Sequence, residues 1–432
     1  MRLRRFIYTL TMYLLTPVIL YRLAVRGLRY PDYFARWRER FGFFVDPKLR
    51  DSIWIHAVSM GEVNAALPLI DALMQRYAGA PFVITTVTPT GSERVRRIYG
   101  ARVFNVYLPY DLPASIRRFL DRVRPRLAVV METEIWPNLF FACEARGIPV
   151  VVANARLSEK SLRGYGPVRP LAKSALASAR YVAAQSLTDA ERLRDLGAEP
   201  ERLGVVGNLK YDMTVPGGLV EQARAIRAAW GARRPVWIAA STHEGEEEQV
   251  IKAHAAVLRQ FPDALLLYVP RHPERFKPVA QDCRDFGFVT RTRSEDSAAT
   301  PDTQCFVVDT LGELLRFYAA ADVAFVGGSL SPIGGHNVLE PAALSVPVIV
   351  GPHTFNFVEI TASLLEAGAA LRISDAEELA AALTRVLADA PLRSRIGSAG
   401  RAAFEREQGG VLRTVDIVEK ILVEDERKAA ST

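Results

Sequence analysis

Gly327-Gly328-Ser329-Leu330-Ser331-Pro332-Ile333-Gly334-Gly335-His336-Asn337-Val338-Leu339-Glu340-Pro341 is the stretch whose residue types and spacing are best suited to chemistry. It lies between the apolar runs Val323–Val326 and Val346–Val350, each short enough to be a buried strand. Glycines after a strand let backbone N–H groups approach a ligand, and the positive end of the next helix then faces that ligand. Asn337 and Glu340 fall on the first turn of that helix, where a carboxylate can accept hydrogen bonds from a sugar diol. Such a loop suits a nucleotide-sugar. A capping box, with Asn337 as N-cap and Glu340 at N3, explains the same spacing, and the two readings can coexist.

Other candidates follow other apolar runs. Arg271 comes after Ala264–Val269 in a proline-bounded loop, where a guanidinium can grip a phosphate or pair with Glu274. Gly312 and Glu313 open a helix after Asp309-Thr310, and free N–H groups there can hold a phosphate or a base edge. Glu62 stands three residues after Ser59, which fits either a capping box or a carboxylate with work to do. Glu132 and Glu134 directly follow a buried run, so they must be solvated or paired. Trp136-Pro137-Asn138 beside them opens a helix. The chain holds no Asp-x-Asp, phosphate loop, dinucleotide fingerprint or His-Glu-x-x-His helix, and its six histidines are scattered without ligand spacing. A metal-free mechanism using Arg, Lys and helix dipoles is expected.

These residues need a frame to hold them. From residue 50 onward, short apolar β-branched runs alternate with helical stretches, twice over. The first set includes Ile53–Val58, Phe82–Val87, Leu127–Met131, Val150–Ala153 and Leu203–Val206; the second is Val236–Ala240, Ala264–Val269, Phe306–Asp309, Val323–Val326 and Val346–Val350. Continuous apolar runs separated by helices indicate parallel strands covered on both faces, hence two tandem doubly wound α/β domains. Thr214–Gly218 is the best linker, and Val411–Val423 is helical in pattern. Ligands bind outside the carboxyl ends of such strands, where Ser59–Glu62, Glu132–Glu134, Asn208–Lys210, Ser241–Glu244, Pro270–Arg275 and Thr310–Glu313 all fall. One site drawing on both domains is the expected layout.

Composition narrows the partners. The net charge is +7, and residues 1–40 carry all of it, with nine arginines against Asp32 and Glu39. A basic end on a neutral body argues against nucleic acid and for an anionic membrane surface. Those arginines bracket an apolar segment, Phe6–Tyr21, interrupted by Pro17. It is shorter than the roughly 30 Å hydrocarbon core, so both spanning and lying in the interface remain open. No small-x-small cleavage site follows, which favours an anchor over a cleaved signal. Three distant cysteines, Cys143, Cys283 and Cys305, give no disulfide or zinc framework and fit a reducing cytoplasm.

The chain resembles the Kdo (3-deoxy-D-manno-octulosonic acid) transferase family of lipopolysaccharide assembly along nearly its full length. The matching pieces include the basic N-terminal anchor, His56–Glu62, Thr86–Glu93, Tyr107–Asp111, Met131–Asn138, Ala153–Arg156, Ser241–Glu246, Pro270–Phe276, Gly327–Glu340 and Gly351–Phe357. Leu311 before Gly312 and Val338 within Asn337–Glu340 are apolar departures from the pattern. The resemblance implies a GT-B architecture: an anchor at 1–28, an acceptor-binding domain at 29–213, a linker at 214–234, a CMP-sugar-binding domain at 235–410, and a helix at 411–432 returning to the first domain. It also implies inverting, metal-independent transfer of Kdo from CMP-Kdo to the lipid A disaccharide precursor (lipid IVA), with no cofactor, at the cytoplasmic face of the inner membrane. Carried over by position, Glu62 matches the general base, and Glu132 and Lys210 match transition-state-stabilising positions. CMP contacts fall on Pro270, Arg271, Leu311, Gly312, Glu313, Asn337, Val338, Leu339 and Glu340. A nucleotide-sugar epimerase shares the architecture but gives no reason for a basic anchor, and a non-catalytic binding protein would need no Glu62.

Overall fold

The computed structural model describes residues 2–295 and 298–430. It divides into two compact units, one comprising residues 1–213 and 408–432 and the other residues 214–407.

Unit 1 is built on β1 (Ser52–His56), β2 (Phe82–Thr86), β3 (Phe104–Tyr107), β4 (Pro125–Met131), β5 (Val150–Ala155), β6 (Tyr181–Ala184) and β7 (Leu203–Val205). They form one parallel sheet in the order β3-β2-β1-β4-β5-β6-β7. Successive side chains feed opposite faces: Trp54 packs with Phe119 and Leu139 on one side, while Ile53 and Ile55 meet Val63, Leu69 and Leu73 on the other. The helix Gly410–Ala430 adds Val411, Val415, Val418 and Ile421 to the second face. Asp212 pins its start by accepting hydrogen bonds from the N–H groups of Gly409 (2.6 Å) and Val411 (2.7 Å). Asp212 thus neutralises the helix's positive end.

Unit 2 carries β8 (Val236–Thr242), β9 (Leu265–Pro270), β10 (Thr290–Thr292), β11 (Cys305–Val307), β12 (Val323–Val326), β13 (Val348–Val350) and β14 (Ala370–Arg372). Its parallel sheet runs β10-β11-β9-β8-β12-β13-β14. Both units are therefore doubly wound, as the pattern of apolar runs predicts. The strand order reverses beside β1/β4 in unit 1 and beside β8/β12 in unit 2, and such crevices are where ligands bind in these sheets.

At the N-terminus the apolar segment is not one rod. Helices Arg2–Leu14 and Thr16–Arg29 meet at a 42° bend, with Pro17 in the first turn of the second, where its missing N–H costs nothing. Among the described residues no single helix is long and apolar enough to cross a membrane, though this bent pair passes on combined length and composition. The first helix docks on unit 1: the Tyr8 hydroxyl donates to Asp111 (2.8 Å), Thr9 to Asn138 (3.1 Å), and the Arg5 guanidinium lies 4.8 Å from the Phe141 ring centre. Leu3, Phe6, Leu10, Leu14, Val18 and Tyr21 remain exposed.

Candidate active site

In unit 1 the strand ends gather three carboxylates and two cations. The backbone leaves β1 through Val58-Ser59 and enters the helix Met60–Arg76. Glu62, on its first turn, accepts a 2.8 Å hydrogen bond from the Val58 N–H, while the Ser59 side chain caps nothing. Only one half of the expected capping box exists, and it is shifted by one residue. Burial, assisted by the charges of Glu132 and Glu134, pushes the Glu62 carboxyl up to about 8 against the pull of the Val58 N–H and Arg156. Glu132 directly follows β4 with φ of +56°, a left-handed conformation costly for a glutamate, and pairs with Arg156 Nε at 3.2 Å. Glu134 accepts from Trp136 Nε1 at 2.7 Å, and burial raises its pKa as well.

Lys210 rides on the short turn Leu209–Asp212, where the Asn208 side chain accepts from the Lys210 N–H (3.1 Å). Burial lowers its pKa, while Glu132 and Glu62 hold the ammonium against that cost. Asn154, fully buried at φ +54°, fastens this turn to β5 by accepting from the Leu209 N–H at 3.0 Å. The cluster can accept a proton at Glu62 and keep a positive charge close by.

Unit 2 assembles a site of opposite character. Glu246, with no exposed surface, accepts five backbone hydrogen bonds: from His243 (3.0 Å), Gly328 (2.7 Å), Ser329 (2.9 Å), Leu330 (2.8 Å) and Ser331 (3.3 Å). The N–H groups of Gly334 and Gly335 both donate to Gly328 O, at 3.0 and 2.7 Å. For Gly328–Ser331, Gly334 and Gly335 this corrects the expectation that the loop's backbone donors face a ligand. The first four are consumed by an internal carboxylate, because a buried anion needs every donor it can reach, and the last two by the Gly328 carbonyl.

What the loop presents instead is side chains. His336 packs against Gly328, where an added Cβ would come within 3.0 Å of its ring. Its Nε2 lies 2.7 Å from His243 Nε2, with the rings stacked at 5.0 Å and 7° apart. His272 meets His243 edge-on at 5.1 Å. Arg271, exposed just after β9, bears electrostatically on His336, His243 and Glu340. Burial, then Arg271 and the neighbouring imidazoles, brings His336 down to about 3; burial and His272 lower His243 too.

The expected capping at Asn337 and Glu340 also changes form. The helix is only Leu339–Ala343, and its N-cap is Val338. Asn337 accepts from the Leu339 N–H and donates its amide to Glu340 Oε1, both at 3.1 Å. Five residues make a weak dipole, so helix polarity adds little here. Glu340 itself has its pKa raised by burial, against Asn337 and Arg271.

Among the described residues no ion pair joins Arg271 to Glu274; Arg275 takes Glu247 instead, leaving Arg271 at the site. Val338 and Leu339 turn their side chains into the core, so only their backbone can face a ligand. Pro270 closes β9, and Leu311 and Gly312 (φ +89°) form the exposed turn before Glu313. Glu313 is the N-cap of Leu314–Ala320, and its side chain is engaged by Arg293 (3.1 Å), Thr310 and Arg316. Burial would raise its pKa, but these partners hold it below the usual range.

Three of the six scattered histidines therefore converge, which spacing alone hides. His56 and His254 are core residues bonded to Thr85 and Trp237. Arg156, Asn154 and Glu246 complete the two sites and were not singled out from sequence. Their signal is position, each falling at or just after a strand's carboxyl end.

Comparison with known proteins bears on both units. Residues 35–213 match the family described as 3-deoxy-D-manno-octulosonic-acid transferase (kdotransferase), and residues 290–403 match glycosyl transferases group 1. The chain is 42% identical to the 3-deoxy-D-manno-octulosonic acid transferase of Haemophilus influenzae over 421 residues, covering 97% of this chain and 99% of that one. The C-terminal CMP-Kdo binding domain of WaaA from Acinetobacter baumannii is 36% identical and covers 43% of this chain and 97% of its own, at a TM-score of 0.42. UDP-GlcNAc 2-epimerase from Neisseria meningitidis, bound to UDP-GlcNAc, matches over 85% of this chain and 100% of its own with a TM-score of 0.57; at 12% identity the likeness is one of fold alone. By sequence along its whole length, this chain belongs to the 3-deoxy-D-manno-octulosonic acid transferase family of glycosyltransferases.

Proposed function

We propose that the protein transfers Kdo, with inversion, from CMP-Kdo to a hydroxyl of the lipid A disaccharide precursor (lipid IVA) during lipopolysaccharide biosynthesis, without a metal. The observation that carries this reading is Glu62: a carboxyl pushed up to about 8, beside Glu132 and Lys210, in a chain of this family. In its ionised form such a carboxylate is a stronger base toward a sugar hydroxyl than an ordinary one, so turnover should rise as pH climbs through that value. In the step, the acceptor oxygen bonds to the anomeric carbon and its proton passes to Glu62. The bond from that carbon to the phosphate oxygen breaks, and its electron pair leaves with CMP. Lys210 offsets charge in the transition state, and Glu132 holds its place there through Arg156.

Arg271 grips the donor phosphate and Glu340 the ribose, with further CMP contacts from Pro270, from the Leu311–Glu313 turn and from the backbone at Asn337 through Leu339. The glutamate side chain at 313 is spent on its arginines, which leaves backbone groups as that turn's contribution. The bent N-terminal pair lies in the cytoplasmic face of the inner membrane, with its exposed apolar residues in lipid and its arginines at anionic headgroups. The docked Tyr8 and Thr9 support lying over spanning, since they tie the first helix to unit 1.

Incubation with CMP-Kdo and lipid IVA tests the reading. CMP release that requires the acceptor, with Kdo appearing on the lipid, is the expected result. Release without acceptor, or none at all, would contradict it.

A further inference from the structure

His243 and His336 play no part in the mechanism above, yet they form the most unusual polar contact in unit 2. Two Nε2 atoms 2.7 Å apart must share one hydrogen: one ring donates Nε2–H and the other accepts with its lone pair. The donating ring then has a vacant Nδ1. One added proton can settle there without disturbing the contact, whereas a second would have to occupy the accepting Nε2 and part the rings. The pair therefore titrates as a unit with room for a single proton.

Its surroundings decide when that proton arrives. Facing the pair are Arg271 and His272 from the turn after β9, and Glu246 from its own turn. Glu244, next to His243 in the chain, is exposed, and Glu340 lies across Arg271. Glu246 still favours a charged His243, but five N–H donors share its carboxylate and burial outweighs it. Before an anion docks, burial and Arg271 keep the pair neutral.

We propose that the His243–His336 pair takes up one proton from water when a phosphate monoester dianion, such as CMP, docks beside Arg271. The inference rests on the donor site assigned above. Its consequence for the reaction is charge matching: breaking the sugar–phosphate bond leaves a second negative charge on the phosphate, and a proton held on the pair meets that charge. The acceptor's own proton still goes to Glu62. When CMP leaves, the pair returns its proton to water.

Titration calorimetry with CMP at pH 7.5, in buffers of low and high ionisation enthalpy, reads the proton directly. Wild type should take up a measurable fraction of a proton per CMP, at most one, and its affinity should fall with rising pH in step with that fraction, by at most about tenfold per pH unit. Cytidine, which lacks the phosphate, should bind without uptake. The double substitution His243→Gln/His336→Gln leaves no imidazole in the pair to accept the proton, so uptake should vanish and the pH slope flatten, whereas either single variant keeps one ring that can still titrate. Melting curves check that each variant folds, and the cytidine comparison in wild type stands without them. CMP binding with no uptake, or uptake that persists in the double variant and so belongs to Glu340 or His272, would overturn the proposal while leaving the donor site intact. Absence of CMP binding would overturn both.

Discussion

Units 1 and 2 both deliver polar side chains from strand ends beside a reversal of strand order, yet what they deliver differs in sign. Glu62, Glu132 and Glu134 converge in unit 1, where burial first and neighbouring carboxylates second push Glu62 and Glu134 upward; Arg271, His243, His272 and His336 converge in unit 2, where burial first and neighbouring cationic groups second push His243 and His336 downward. The sheet does not dictate chemistry. It supplies a crevice with strand-end loops around it, and the side chains placed there decide whether it holds a proton or an anion. The supports differ as well. Unit 1 positions its turn through Asn154, a neutral amide, whereas unit 2 builds its loop around the buried anion Glu246.

That contrast can be broken from the unit 2 side first. Glu246→Ala removes a carboxylate that five buried or part-buried N–H groups depend on. Leaving them without an acceptor should destabilise unit 2 by about 3–5 kcal/mol and abolish CMP binding, read by denaturant unfolding and calorimetry. A small loss of stability would mean the Gly327–Glu340 loop stands without this support.

Arg271→Ala and Glu340→Ala sharpen the comparison at the ligand itself. Each should weaken CMP binding by about 1.5–3 kcal/mol while leaving the melting temperature near wild type. Unchanged affinity in both would remove the anion grip from unit 2 and leave Asn337–Glu340 as a local bonding arrangement only.

Removing residues 1–27 should have the smallest effect on the fold. It forfeits the Tyr8–Asp111 and Thr9–Asn138 bonds, about 1 kcal/mol each, and should weaken sedimentation with anionic vesicles without unfolding either unit. Undiminished vesicle binding would move the membrane contact elsewhere.

The sequence made the central strands legible because they are continuous β-branched runs. It hid β3, β6, β10 and β14, which are only three or four residues long, three of them at sheet edges. Such strands bury less and need no long apolar run. Individual site residues were visible where glycines or paired carboxylates mark a strand end, as at Glu132 and Glu340. Convergence was not: His243 and His336 are neighbours only because β8 and β12 are paired in the sheet. Nor does spacing show that Glu246 would outcompete a ligand for the loop's N–H groups.

Glu62→Gln tests the central contrast most directly, measured for turnover, CMP affinity and stability in one preparation. Glutamine can still accept the Val58 hydrogen bond but takes no proton at neutral pH. Turnover should fall at least about a hundredfold with CMP affinity unchanged. Stability should also respond in a defined direction. The folded chain keeps the Glu62 proton up to about 8, while the unfolded chain loses it near the ordinary carboxyl value of 4.5. Wild type therefore loses stability as pH rises between those values, and the variant, having nothing to titrate, should equal or exceed it at pH 8. Near-normal turnover in a well-folded Glu62→Gln protein would contradict the account and pass the base to Glu132 or Glu134.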